Sequence, residues 1–549
     1  MSLRKLSTGI LFLSVMMNSC STRKHADLIV THATVYTIDS AFSQVESFAV
    51  IDGKIAATGT TKDILKQFTS ETIIDASRKF VYPGFNDAHC HFNGYANNLL
   101  QYADLRGTIS TDEVYDNLET HHEKFKGSWI LGRGWDQNDW EVKEFPDKTE
   151  LDKLFPDIPV YLVRVDGHAG WCNKKALEMA GITASTKVPG GDVVLKDGQP
   201  TGILIDNAMG LVSKLIPEIT EEQQQRALLE AQANCFAAGL TSVTDCGLDK
   251  NTILLMQKMQ NSNTLKMRIN AMLNATDENF EFFVKKGPLV NEKLVVRTIK
   301  LYADGALGSR GALLLEDYSD KPGKRGLQIE TQEYYDKICQ LALENNYTMA
   351  THAIGDSANR LMLNTYGKFL KGKNDNRWRI EHAQIINQDD FAKFAEFSIV
   401  PSIQATHCTS DMYWAKKRIG EERIKGAYAY QTLLAQNGWL PNGTDFPVES
   451  IEPLFTFFAS VFRTNHKDYP EGGFQIENGL TREQTLRSMT IWAAKASFEE
   501  NVKGSLEPGK YADFVILDTD LMSADQQEVL NTEIESTWIG GVKVFDAYE

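Results

Sequence analysis

The middle of this chain repeats one pattern, a short apolar run followed by a stretch suited to a helix. Apolar runs lie at 80–85, 240–244, 267–273, 296–302, 347–351, 378–381, 399–403 and 439–442, and helix-patterned stretches such as 221–238 and 333–344 fall between several of them. Runs of this length without polar alternation suit strands covered on both faces. Parallel neighbours need a crossover where antiparallel ones need only a turn, so strand–helix alternation predicts a parallel sheet. Eight such units close into a TIM (β/α)8 barrel, which carries its chemistry at the C-terminal ends of its strands. The expected fold is therefore α/β, with the barrel over 83–494. The interval from 93 to 239 is too long for one connection and holds strand-like runs of its own at 129–132 and 160–165. An insertion near 110–215 is expected to cap the barrel mouth.

The two ends differ from the middle. Short β-type runs fill 27–82, with Asp52-Gly53 as a turn signal, and Phe514-Val515-Ile516-Leu517 and Val542-Lys543-Val544-Phe545 continue the character near the C-terminus. The two ends, 27–82 and 495–549, are expected to build one small composite β-sandwich domain.

Before them, Arg4 and Lys5 precede an apolar stretch from Gly9 to Met17, and Cys20 follows. A charged segment and a short apolar run form a secretory signal, here residues 1–20, and the Cys resembles that of a bacterial lipobox. The expectation is an exported lipoprotein facing the periplasm or cell surface, touching the membrane only through a lipid on Cys20; the alternative is a soluble periplasmic protein. The other six cysteines form no Cys-X-X-Cys pair and sit in apolar segments, which favours buried free thiols. With 57 Lys+Arg against 73 Asp+Glu and a net charge of −16, nucleic acid is not the expected partner. A small-molecule substrate is, and a homo-oligomer remains open.

Polar residues of one chemical kind fall at the ends of the apolar runs. In Asp87-Ala88-His89-Cys90-His91 a strand would put both imidazoles on one side, and imidazole is a good ligand for zinc and related ions. His352, His382 and Asp445 each close a later run. Taken singly, each His reads equally as a hydrogen-bonded core residue and the Asp as a turn residue; their common register argues for a site. A carboxylate beside a metal-bound water can take its proton. Lys300 lies within a run expected to be buried, where a bare ammonium is costly. Carbamylation by CO2 would make it an oxygen ligand able to bridge two metals.

With these residues stand Gly132-Arg133-Gly134-Trp135-Asp136-Gln137, Asp166-Gly167-His168, Asp304-Gly305, Gln404-Ala405-Thr406-His407, Gly443-Thr444-Asp445-Phe446-Pro447 and Glu507-Pro508-Gly509-Lys510-Tyr511-Ala512-Asp513. Together they resemble the amidohydrolase superfamily, specifically its family 3 branch of N-substituted formamide deformylase-like hydrolases, over about 27–546. The resemblance implies one or two divalent ions, zinc by preference. It implies His89 and His91 on the more buried ion, His352 and His382 on the second, a carbamate on Lys300 as bridge, and Asp445 as ligand and general base. Beside these, His168 and His407 are expected as catalytic residues steadying an oxyanion, with Trp135, Asp136, Arg310 and Gln404 on the substrate side; Trp135 also reads as insertion core and Arg310 as a salt-bridge partner. The expected reaction is hydrolysis of a non-peptide C–N bond in an amide, formamide or cyclic amide by a metal-bound hydroxide. An ester or lactone hydrolase, or a non-catalytic binding lipoprotein, are the alternatives.

Overall fold

A computed structural model describes residues 23–548; the leader and Cys20 lie outside the described residues. Seven parallel strands pair in chain order: β1 (Phe85–Cys90), β2 (Leu240–Leu248), β3 (Arg268–Asn274), β4 (Leu294–Tyr302), β5 (Thr348–Ala353), β6 (Arg379–His382) and β7 (Val400–Ser402). Segment 440–445 fills the eighth place. It meets β7 through a parallel bridge between Ile403 and Asn442, and on its other side the Asp445 amide donates to the His89 carbonyl at 2.8 Å. It is not a regular strand because Pro441 has no N–H to give and Gly443 lies hard against β1. A Cβ on Gly443 would stand 2.4 Å from the His89 nitrogen. The barrel is thus nearly closed, and the glycine lets Asp445 approach the two histidines.

The strands bury their outer faces under helices. Helix Glu221–Ala237, whose N-terminus Thr220 and Gln223 close with a capping box, covers the barrel with Leu228, Ala231, Cys235 and Phe236. The interior carries polar side chains, and β4, β5 and β6 set them in register: Lys300 lies beside Ala350, Tyr302 beside His352, and His352 beside Glu381.

The apolar run at 80–85 does not form one barrel strand. Phe80–Pro83 pairs antiparallel with Phe514–Leu517 and parallel with Thr34–Tyr36, and the barrel begins only at Phe85. Gly84 separates the halves where a Cβ would come 2.3 Å from the Thr241 side chain. The first half belongs to a sandwich built from both ends of the described chain. One sheet holds Lys54–Gly59, Ser47–Ile51, Leu28–Thr31 and Ile73–Asp75, and the other runs from Val542–Asp546 through Phe514–Leu517 and Phe80–Pro83 to Gln44–Val45. Val30, Phe48, Val81, Phe514 and Trp538 pack between them. The buried pair Arg268–Asp513, with Nε 2.6 Å from Oδ2, ties the sandwich to β3.

Between β1 and β2 the chain builds a separate six-stranded sheet in the order Tyr102–Asp104, Ile130–Trp135, Val160–Arg164, Ala169–Cys172, Gln199–Asp206, Gly191–Lys196. Its core contains Trp135, Trp140 and Trp171. Cys90, Cys172, Cys235, Cys246, Cys339 and Cys408 are all free and buried. Among the described residues no helix is long and apolar enough to cross a membrane.

Candidate active site

Strand periodicity delivers most of the cluster. Asp87 and His89 point into the barrel from β1. Asp87 accepts from the His89 amide at 3.0 Å and from the Thr444 hydroxyl at 2.7 Å, which fastens segment 440–445 to β1. Burial pushes its carboxyl up to about 7. His89 Nδ1 lies 2.6 Å from Glu381 Oε2, both side chains wholly buried, so Nε2 is left facing Asp445 and Lys300. A carboxylate on the far nitrogen fixes tautomer and ring plane of a metal-binding imidazole. His91 is held similarly, with Nδ1 3.1 Å from the Cys246 carbonyl.

His382 reaches the cluster by backbone strain. Arg379 and Glu381 face inward from β6, so regular alternation would turn His382 outward. Instead His382 has φ 71° and Ala383 φ 43°, a left-handed bend that non-glycine residues adopt at a cost and that recurs at active sites. Asp445 bends in the same sense at φ 63°. The His382 ring ends 4.6 Å from that of His352 and 4.9 Å from that of His89.

Asp445 is the hub. Its Oδ1 stands 3.3 Å from His91 Nε2 and 3.5 Å from His89 Nε2, and its Oδ2 lies 3.2 Å from His407 Nε2. The other His407 nitrogen meets Glu449 at 2.9 Å, and Ser410 donates to the same Glu449 oxygen at 2.6 Å. Burial works against the Asp445 anion, but the bonds to His407 and His91 outweigh it and hold the carboxyl well below the usual range. His407 is held well above its usual value: burial opposes its charge, and Asp445 and Glu449 overcome that. Burial lowers His89 to about 4 and drives His352 and His382 well down. These three rings are neutral at pH 7, the form that binds a metal.

The donors fit a divalent ion. Ligand atoms of His89, His91 and Asp445 lie within 4.8 Å of one another, as do those of His382, His407 and Asp445. His382 Nδ1 and His352 Nε2 are buried without a hydrogen-bond partner, which polar atoms in a folded interior rarely are. Both nitrogens of His407 are already engaged, by Glu449 and Asp445, whereas His352 Nε2 has no hydrogen-bond partner, facing Asp304 Oδ1 at 3.7 Å, and its ring stands beside that of His382. Lys300 is buried, with Nζ 3.5 Å from His89 Nε2 and 4.8 Å from the centre of the Tyr302 ring.

These groups open into a cavity of about 240 Å³ shared by barrel and insertion. His91, Lys300, His352, His382, His407 and Asp445 line it from the barrel, and Asp136, Arg164, Asp166 and His168 from the insertion. Three expected substrate residues are not on its wall. Trp135 is wholly buried in the insertion core, its Nε1 donating to the Leu162 carbonyl at 3.0 Å. Arg310 is paired with Asp320 at 3.0 Å, and Arg418 shares that carboxylate. Gln404 is buried just beyond β7, away from the cavity lining. Among the residues that sequence reasoning passed over are Arg164, Glu449, Asp411 and Trp414 on the wall and Glu381 and Asp206 behind it. Glu381 had a local signal, a carboxylate inside a buried strand next to a histidine; the others have none.

A family model described as the amidohydrolase family matches residues 72–545. The chain belongs to the amidohydrolase family. It is a metal-dependent hydrolase acting on carbon–nitrogen bonds. Among similar proteins, Protein LONG AFTER FAR-RED 3 of Arabidopsis thaliana is 32% identical, the match covering 95% of this chain and 92% of that one. N-substituted formamide deformylase of Arthrobacter pascens is 25% identical over 94% of this chain and 98% of its own. The crystal structure of an uncharacterized metal-dependent hydrolase from Pyrococcus horikoshii OT3 superposes with a TM-score of 0.74 at 27% identity, covering 91% of this chain and 99% of that one. In this amidohydrolase the parallel barrel and the histidine–aspartate cluster therefore go together.

Proposed function

We propose that this amidohydrolase cleaves a non-peptide C–N bond of a small amide, formamide or cyclic amide, using two zinc ions. His89, His91 and Asp445 would hold one and His352 and His382 the other, with a carbamate on Lys300 as a further oxygen ligand. An ion bound there supplies an acidified water and a Lewis acid for the substrate oxygen. The observation that carries the reading is the ionised Asp445, set between two groups of imidazoles and reached from the cavity.

The chain's own residues supply proton handling and orientation. Asp445 takes the proton of the attacking water and passes it to the leaving nitrogen. His407, anchored by Glu449, keeps Asp445 in place. His168 faces the substrate oxygen from the insertion and stabilises the charge that develops there. Asp136 and Trp414 shape the rest of the cavity, whose size admits a small molecule. A deformylase relative of nearly full length supports the substrate class. The test is Asp445→Asn assayed on a panel of N-formyl amines, small amides and lactams. Turnover should fall at least ~100-fold, the scale of losing a general acid–base group, with metal partly retained. Unchanged turnover removes Asp445 from the mechanism.

A further inference from the structure

The insertion contributes one buried ion pair that the mechanism above leaves unexplained. His168 Nδ1 lies 2.6 Å from Asp206 Oδ1, with the two side chains 17% and 2% exposed. The two residues adjoin through the antiparallel pairing of Ala169–Cys172 with Gln199–Asp206, where Ala169 opposes Ile205. The Asp206 amide donates to the His168 carbonyl at 3.1 Å.

Three further features mark Asp206 as placed for this contact. Its backbone has φ 48° and ψ −124°, a conformation an aspartate adopts only under constraint. Its second oxygen, Oδ2, is buried with no hydrogen-bond partner, so His168 is the one group its side chain binds. And the carboxylate sits in a cradle made by the loop after β4, where a Cβ on Gly305 would come 2.5 Å, and one on Gly311 2.8 Å, from Oδ2. Two glycines make room for a carboxylate whose single bond is to a cavity-lining histidine.

We propose that Asp206 is the positioning residue of the active site's insertion-borne donor: its carboxylate accepts from His168 Nδ1–H, stabilises the ring in its doubly protonated form and aims Nε2–H at the oxygen of the scissile carbonyl. A carboxylate on one ring nitrogen orients the ring and stabilises its imidazolium, as in catalytic triads. The pair also couples two parts of the fold, because Asp206 rests on the β4 loop while His168 projects into the cavity beside His352, ring to ring at 4.9 Å. The insertion thereby delivers the donor to the barrel in one fixed pose. This inference rests on the reading that His168 meets the substrate oxygen.

The experiment uses zinc-loaded, 15N-histidine-labelled enzyme. The wild type should show a low-field Nδ1–H proton that disappears in both Asp206→Ala and His168→Gln. Asp206→Ala should lower kcat about 10- to 100-fold, the range for losing a carboxylate partner of a working imidazole, with KM and metal content unchanged. Asp206→Asn, which keeps an acceptor, should recover part of the loss. Gly311→Ala, which displaces the carboxylate while keeping both partners of the pair, should lower kcat in the same direction. A low-field proton that persists in Asp206→Ala overturns the proposal. So does full activity in Asp206→Ala when His168→Gln is impaired. Full activity in His168→Gln instead overturns the reading of His168, and the role of Asp206 with it.

Discussion

Replacing Glu381 by glutamine removes one charge from a place without water. Glu381, Arg379 and His89 are all fully buried, with Glu381 Oε1 3.1 Å from Arg379 Nε and Oε2 2.6 Å from His89 Nδ1. Burial alone would raise the carboxyl, but Arg379 and then His89 outweigh it and bring it from 4.5 down to about 2. At 1.36 kcal/mol per pH unit, that depression corresponds to about 3 kcal/mol of folding free energy. The independent scale for breaking one member of a buried ion pair is ~3–5 kcal/mol, since Arg379 is left uncompensated. A carboxylate held below its unfolded value stabilises the fold fully above that value and loses the contribution as pH falls through the folded one. The deficit of Glu381→Gln should therefore be about 3 kcal/mol at neutral pH and should close between ~4.5 and ~2. Urea unfolding of the metal-free proteins across that range measures it. The same variant should bind zinc about 10- to 100-fold more weakly, because His89 loses its charged partner. Coincident urea midpoints at pH 7 would refute the argument that this ion pair holds the barrel interior together.

Trp135→Phe should cost about 1–3 kcal/mol, since the buried Leu162 carbonyl loses its donor, yet leave kcat/KM unchanged because Trp135 does not line the cavity; chemical denaturation and steady-state kinetics read the two effects. Full-length protein expressed in a bacterial host should take up labelled fatty acid, and Cys20→Ala should abolish the label; equal labelling of both would remove Cys20 as the anchor.

The barrel and the clustering of polar residues at its strand ends were legible in the sequence because both follow short-range rules. Period-two alternation puts Asp87 and His89 on one side of β1, and buried strand ends place His352 and Asp445. What was illegible depends on departures from those rules. Trp135 would share a face with Leu131 and Arg133 by plain alternation. A bulge at Gly134, φ 113°, shifts it into the core beside Ile130. The bend at His382 similarly reverses the side that alternation assigns. Glu381, Asp206 and Glu449 act through partners 292, 38 and 42 residues away, and a single sequence carries no local mark of such contacts. The 80–85 run was divided between two sheets by the close approach of Gly84 to Thr241, a tertiary contact without a pattern.

The most direct test of the account is metal content per chain, by elemental analysis of protein beginning at Ser21, produced with bicarbonate and zinc. His89 and His91 beside Asp445, with His352 and His382 ring to ring next to them, predict about two ions per chain, the arrangement of a two-metal hydrolase, with both activity and metal lost on chelation and restored by zinc. A chain that holds no ion after reloading, or that turns over its substrate equally well without one, would contradict it.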